Sequence, residues 1–215
     1  MVPSPKTVAR DDLAGMAERV RALLAGRRRV FVGIAGAPGA GKSTLARALS
    51  EELTAAGLAT AWVPMDGFHL ADVELDRLGA RARKGAIDTF DAHGYLALLL
   101  RLETETDHVV YAPGFDRTLE QPLAGAIAVE PGVRVVVTEG NYLLDEDDPW
   151  PRVRSALTEV WFCDLNPDVR RERLVARHVR YGKSPADARR WVQEIDEPNA
   201  ARIERSRGLA DLVIG

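Results

Sequence analysis

Gly36, Gly41, Lys42 and Ser43 sit in the stretch GIAGAPGAGKSTLARALS (residues 33–50) with the spacing G-x-x-x-x-G-K-S. An apolar run precedes them and a helical pattern follows. Glycines at these points let backbone N–H groups turn inward around phosphate oxygens. The N-terminus of the following helix adds a positive dipole end aimed at the same anion. Gly36, Ala37, Gly39, Ala40, Gly41, Lys42, Ser43 and Thr44 are therefore expected to cradle a nucleotide. Lys42 would reach the β- and γ-phosphates, and Ser43 would bind magnesium. The loop alone does not choose among pumps, switches, helicases and kinases, all of which use it.

Two acids complement such a cradle. VPMDGFHL places Asp66 at the end of an expected strand, and open parallel sheets bind ligands beyond the carboxyl ends of their strands. A carboxylate there can accept the proton of an attacking hydroxyl and hold that hydroxyl in line with the phosphate. A solvated turn aspartate before Gly67 is the other reading. Glu139 closes the apolar run RVVVTEG, so it must emerge at the sheet edge. An acid in that place can hold magnesium, directly or through water.

Positive charge is concentrated downstream. Residues 170–190 hold eight Arg/Lys against two Asp/Glu, in a chain of net charge -3. Arg173, Arg177 and Arg180 fall on one helical face. That face could close over a triphosphate and neutralise charge on the group in flight. It could equally be a solvated face. A nucleic-acid patch fits less well, because aromatic interleaving is slight and the rest of the chain is acidic.

The elements that must position these residues alternate along the 215 residues. Thr7 to Ala25 has helix-like spacing, and RVFVGIA reads as a buried strand. Ser43 to Ala56 reads as a helix and ATAWVPMD as a second strand. Gly67 to Asp91 reads as loop with a short helix. GYLALLLRL is a helix, and HVVY and AIAV read as short strands of a hairpin or an edge pair. RVVVTEG, VWFCDL and ADLVIG are buried strands. A helix capped by Asn166 follows VWFCDL, and a second opens at Pro185, with Pro198 kinking or dividing it. The pattern predicts an α/β fold, mainly one parallel sheet with helices on both faces. The expectation is one domain over 1–215, with a helical lid at about 166–190. The single cysteine, Cys163, excludes a disulfide framework and a multi-cysteine zinc site. Met1 to Arg10 lacks a signal-peptide core, and no apolar run approaches a membrane span, so a cytoplasmic location is expected.

Taken in order, GAPGAGKST, PMDGFHL, RKGAIDTFD, YAPGFDR, VVVTEGNYLL and RERLVARHVRYG resemble the phosphoribulokinase/uridine kinase family of P-loop kinases, from about Val30 to the C-terminus. The likeness is greatest to its nucleoside/nucleotide kinase-like, fructokinase-like and pantothenate kinase-like branch. It implies a P-loop three-layer sandwich and an ATP- and Mg2+-dependent kinase that phosphorylates a hydroxyl of a small metabolite. Pantothenate, a sugar such as fructose and a nucleoside-like acceptor all stay open. It implies Asp66 as general base and Glu139 on the magnesium side. Arg173 and Arg177 would approach the phosphates from the lid, and His69, Tyr111, Phe115 and Arg117 would contact the acceptor. Tyr111 and Phe115 could instead pack under a loop, and Arg117 could pair with Asp116 or Glu120. Uridine kinases resemble FDHPDAFD where this chain has KGAIDTFD, so the ribose-binding aspartate would fall at Gly85, which argues against uridine. The expected partner is a small-molecule hydroxyl substrate, with no nucleic acid and no membrane; a homodimer stays open. The rival is a non-kinase P-loop NTPase, acting as a regulatory switch or a nucleic-acid-coupled ATPase.

Overall fold

The computed structural model describes residues 5–215. The first four residues of the Met1–Arg10 stretch lie outside the described residues. The chain opens with β1 (Lys6–Val8), α1 (Leu13–Leu23), β2 (Val30–Ala35), α2 (Lys42–Ala55) and β3 (Thr60–Trp62). Then come a 3-10 turn at Met65–Phe68, α3 (Asp72–Arg77) and α4 (Ala92–Thr104). A hairpin of β4 (Val110–Asp116) and β5 (Gln121–Val129) leads to β6 (Val135–Glu139), α5 (Trp150–Ala156) and β7 (Glu159–Cys163). The last part holds α6 (Pro167–Arg180), α7 (Pro185–Trp191), α8 (Glu197–Arg205) and β8 (Leu212–Ile214).

Six strands form one parallel sheet in the order β1-β8-β7-β2-β6-β3. The antiparallel β4–β5 hairpin is separate. Side chains alternate faces along a strand, so the unbroken apolar run of β2 needs cover on both sides. Phe31 and Ala35 pack with Tyr95 and Leu99 of α4 and Val153 of α5. Val30, Val32 and Ile34 pack with Met16 and Val20 of α1 and Leu45 and Leu49 of α2. Because the strands are parallel, the ends of β2, β3 and β6 share one edge. That edge carries the glycine loop, the 65–68 turn and Glu139.

Several boundaries differ from expectation. No helix starts at Thr7: Lys6–Val8 pairs with β8, and α1 begins only after Asp12, whose carboxylate accepts from the Gly15 amide at 3.0 Å. The second strand stops at Trp62, and Pro64, which has no amide to continue the ladder, introduces the 3-10 turn that carries Asp66. The hairpin strands are longer than HVVY and AIAV. α5 is an element the sequence reading does not contain. The segment after Pro185 divides into α7, a π-helical turn at Val192–Asp196 and α8, with Pro198 in the first turn of α8. Among the described residues, no helix is long and apolar enough to cross a membrane.

Candidate active site

The glycine loop takes the backbone shape its composition predicts. Gly36, Gly39 and Gly41 have φ of 146°, 79° and 95°, values that side-chain-bearing residues rarely adopt. Space is equally restrictive. A Cβ on Gly36 would meet the Cys163 carbonyl at 2.6 Å, and one on Gly39 would meet Leu174 Cγ at 2.7 Å. The second contact shows that α6 rests directly on the loop, and Arg170 of α6 also donates to the Pro38 carbonyl at 3.3 Å. Ala37 and Ala40 are buried in the loop floor. Thr44 is exposed on the first turn of α2.

Lys42 is buried. Its ammonium donates to the Ala37 carbonyl at 3.1 Å and to Asn141 Oδ1 at 2.8 Å. Ser43 Oγ donates to Glu139 Oε1 at 2.9 Å. Burial raises the Glu139 carboxyl to about 7, reinforced by the charge of Asp66 and opposed by Lys42. Asn141 is not among the expected site residues; its signals are its place two residues past the end of β6 and inside the stretch VVVTEGNYLL.

Gly140 brings the opposite wall close: a Cβ there would lie 2.5 Å from Met65 Sδ. Asp66, next in the chain, accepts a hydrogen bond from Arg117 Nη2 at 3.0 Å. Arg117 is thus paired with Asp66, rather than with Asp116 or Glu120. Burial pushes the Asp66 carboxyl up, but His69, Arg117, Lys42 and Arg177 outweigh it and hold it below the usual range. His69 is itself held low by burial, so the permanently charged Arg117 is the dependable partner. Two nearby carboxylic acids are therefore pushed apart, Asp66 toward the ionised form and Glu139 toward the neutral one. The Nδ1–H of His69 donates to the Asp66 carbonyl at 2.8 Å, which leaves Nε2 as an acceptor in the neutral ring. Phe90 and Phe115 pack against that ring at tilted angles of 44° and 46°, with centroids at 4.0 and 4.8 Å.

These groups line one cleft of about 330 Å³. Lys42, Ser43, Asp66, Glu139 and Arg177 line it together with His69, Phe115 and Arg117. Lys84 lines it as well. It pairs with Asp72 at 2.7 Å and lies 5.6 Å from the Phe115 ring centroid. Two expected members lie elsewhere. Tyr111 is 62% exposed and outside the cleft. It stands four residues, about 13 Å, up the strand from Phe115, and a register shift between Ala112 and Gly114 intervenes. Arg173 does not line the cleft either; its Nη1 comes within 3.9 Å of where a Gly41 Cβ would stand, at the rim of the loop. A single helical face is thus split between two places, because one turn of α6 separates its arginines.

The chain is similar to known proteins along most of its length. The family model for the methylmalonyl-CoA mutase-associated GTPase MeaB matches residues 6–69, the part that holds the glycine loop. A Schizosaccharomyces pombe protein named as a candidate uridine kinase is 34% identical over 99% of this chain and 93% of its own length. The crystal structure of a candidate fructose transport system kinase from Silicibacter sp. TM1040 superposes with a TM-score of 0.87 and 37% identity, covering 94% of this chain and 98% of that one. YFH7 of Saccharomyces cerevisiae, described as a candidate P-loop containing kinase with a circular permutation, shares the fold at a TM-score of 0.80 and 20% identity, covering 94% of this chain and 98% of that one. The chain belongs to the phosphoribulokinase/uridine kinase family of P-loop kinases.

Proposed function

We propose that this protein transfers the γ-phosphate of ATP to a hydroxyl of a small metabolite. The observation that carries the reading is the juxtaposition, in one cleft, of the Lys42–Ser43–Glu139 cradle and the ionised Asp66. Lys42 and the loop amides hold the triphosphate. Asp66 takes the proton of the acceptor hydroxyl as its oxygen bonds to the γ-phosphorus. The bond from that phosphorus to the β–γ bridging oxygen breaks, and its electron pair leaves with ADP. His69, Phe115 and Arg117 form the acceptor wall, and Arg177 offsets charge on the group in transfer.

Ser43 Oγ and Glu139 Oε1, 2.9 Å apart, are hard oxygen donors of the kind Mg2+ takes. Among the described residues there is no cluster of three or more His, Cys, Asp or Glu that could cage a metal. That suits an ion completed by phosphate oxygens and water. Bound there, Mg2+ would neutralise charge on the β- and γ-phosphates. A consequence follows from the raised Glu139. Below pH 7 the carboxyl must lose a proton before it can serve the ion, so binding releases a proton there. Magnesium–ADP affinity should rise by up to about tenfold per pH unit up to pH 7 and level off above it. Calorimetry from pH 6 to 8 reads this, and Glu139→Gln should flatten the profile. A flat wild-type profile would count against the role given to Glu139.

The acceptor is to be sought among pantothenate, sugars such as fructose, and nucleosides. The open glycine at 85, with nothing within 4 Å of a Cβ placed on it, supplies no carboxylate for a ribose. An ADP-release screen over these compounds should show release that depends on one acceptor class. The match to a GTPase family over residues 6–69 favours a second reading, a switch-type NTPase. Hydrolysis at one rate with every compound in the panel, and stimulation by a macromolecule, would select that reading instead.

A further inference from the structure

The glycine loop is gripped from outside the cleft by a residue that belongs to none of the motifs. After β1, the Arg10 amide donates to the Gly215 carbonyl at 2.9 Å, and the Gly215 amide donates to Val8 at 3.1 Å. This ties the start of the described chain to the end of β8. From there the Arg10 side chain reaches the loop. Its Nη1 donates to the Ala40 carbonyl at 2.7 Å, and its Nη2 to the carbonyl of Asp164, just beyond β7. The same Nη1 lies 2.8 Å from where a Gly41 Cβ would stand. The only other hydrogen bond to Ala40 O among the described residues is a weak one from Cys163 Sγ at 3.4 Å.

The carbonyl of residue 40 and the amide of residue 41 belong to one planar trans peptide, so they point in opposite directions. Holding the carbonyl outward, toward Arg10, aims the Gly41 N–H the other way. Among the described residues, neither the Gly39 nor the Gly41 amide has a protein acceptor. The first amides of α2 are likewise without an intrahelical partner. Such free N–H groups are what binds an anion at a loop of this kind.

We propose that Arg10 is a positioning residue of the donor site. It locks the Ala40–Gly41 peptide in the orientation that offers its N–H to phosphate, and it brings a fixed positive charge to the loop rim. This rests on the phosphate-donor reading above. Because Arg10 acts through the loop backbone, its effect does not depend on a nucleoside.

Calorimetry with two probes tests this, ADP and inorganic tripolyphosphate, each with magnesium. Arg10→Met keeps the alkyl stem and removes the guanidinium. It should weaken both probes by about tenfold, the size expected from one charge-assisted hydrogen bond. Arg10→Lys should recover part of the loss. Arg19→Ala removes an ion pair to Glu159 at 2.7 Å, elsewhere on the sheet. It should lower thermal stability without moving either affinity. The proposal is overturned if Arg10→Met binds both probes within twofold of wild type, or if Arg19→Ala weakens them as much. A loss confined to ADP also overturns it, because Arg10 would then read the nucleoside. Wild-type protein that binds neither probe removes the donor reading itself, a result distinct from a silent Arg10.

Discussion

Asp66→Asn is expected to slow phosphate transfer by a factor of about 10²–10⁴ and to leave ADP affinity within about twofold. The substitution is conservative where it matters for geometry. The Asn carbonyl can still accept from Arg117 Nη2, now 3.0 Å from Asp66 Oδ2, so the turn and the hairpin should stay in place. What is lost is an oxygen that can take a proton. ADP is the appropriate binding probe, because it fills the loop without a γ-phosphate beside residue 66. The pH dependence sharpens the assignment. Asp66 is held below the ordinary carboxylate range, so it is fully ionised at neutral pH and loses function only in acid. The kcat profile of the wild type should therefore fall on the acid side of the usual carboxylate region. The change governed by Glu139, near pH 7, should appear in magnesium–nucleotide binding. Both are to be measured with the acceptor that the screen returns. Transfer by Asp66→Asn at the wild-type rate would remove Asp66 from the proton path and leave its pair with Arg117 a structural one.

What the sequence made legible is the part of the site written in local geometry. The spacing of Gly36, Gly41, Lys42 and Ser43 prescribes left-handed backbone and a helix start, and both depend on neighbours in the chain. Glu139 was also legible, since a carboxylate after an unbroken buried strand can emerge only at the sheet edge. The β2, β6 and β7 strands stood out because burial on both faces demands continuous apolar runs. The missing pieces are those fixed by long-range contact. Arg117 meets Asp66 across 51 positions, and Lys42 meets Asn141 across 99. No periodicity encodes such a pairing. Tyr111 lies outside the cleft because a register shift in β4 changes which side chains share a face, and within YAPGFDR only Pro113 and Gly114 mark that shift. β1 was hidden inside a helical pattern because Val8 has the right spacing for α1. Its partner strand lies some 200 residues away in the chain, and only that pairing makes it a strand.

Arg177 and Arg173 carry the same charge on the same helix face, yet their replacements should separate sharply. Arg177→Ala should reduce kcat by about 10²–10³, at or just below the lower limit of the roughly 10³–10⁵ that an arginine stabilising phosphoryl transfer contributes. Arg173→Ala should change kcat by less than about threefold and act, if at all, on nucleotide affinity, since it stands at the loop rim near Gly41. The reason lies in the surroundings of Arg177. It lines the cleft with Lys42 and Asp66. Burial works against its charge, and so does the neighbouring Arg117, while Asp196, Asp66 and Glu120 favour it. Two guanidinium groups that repel each other in a half-closed cleft are a poor arrangement for an empty site. They are a good one for a site that must receive a dianionic phosphoryl group, because the incoming charge removes the repulsion at the moment it is needed. An interaction that strengthens as charge shifts during transfer lowers the barrier more than the ground state, so the loss should appear in kcat with saturating ATP and acceptor. Arg177→Lys should recover only part of it, because a single ammonium lacks the planar fork of donors. Equal losses from Arg173→Ala and Arg177→Ala would mean that α6 acts as a diffuse positive field, and a silent Arg177→Ala would remove the helix from the chemistry altogether.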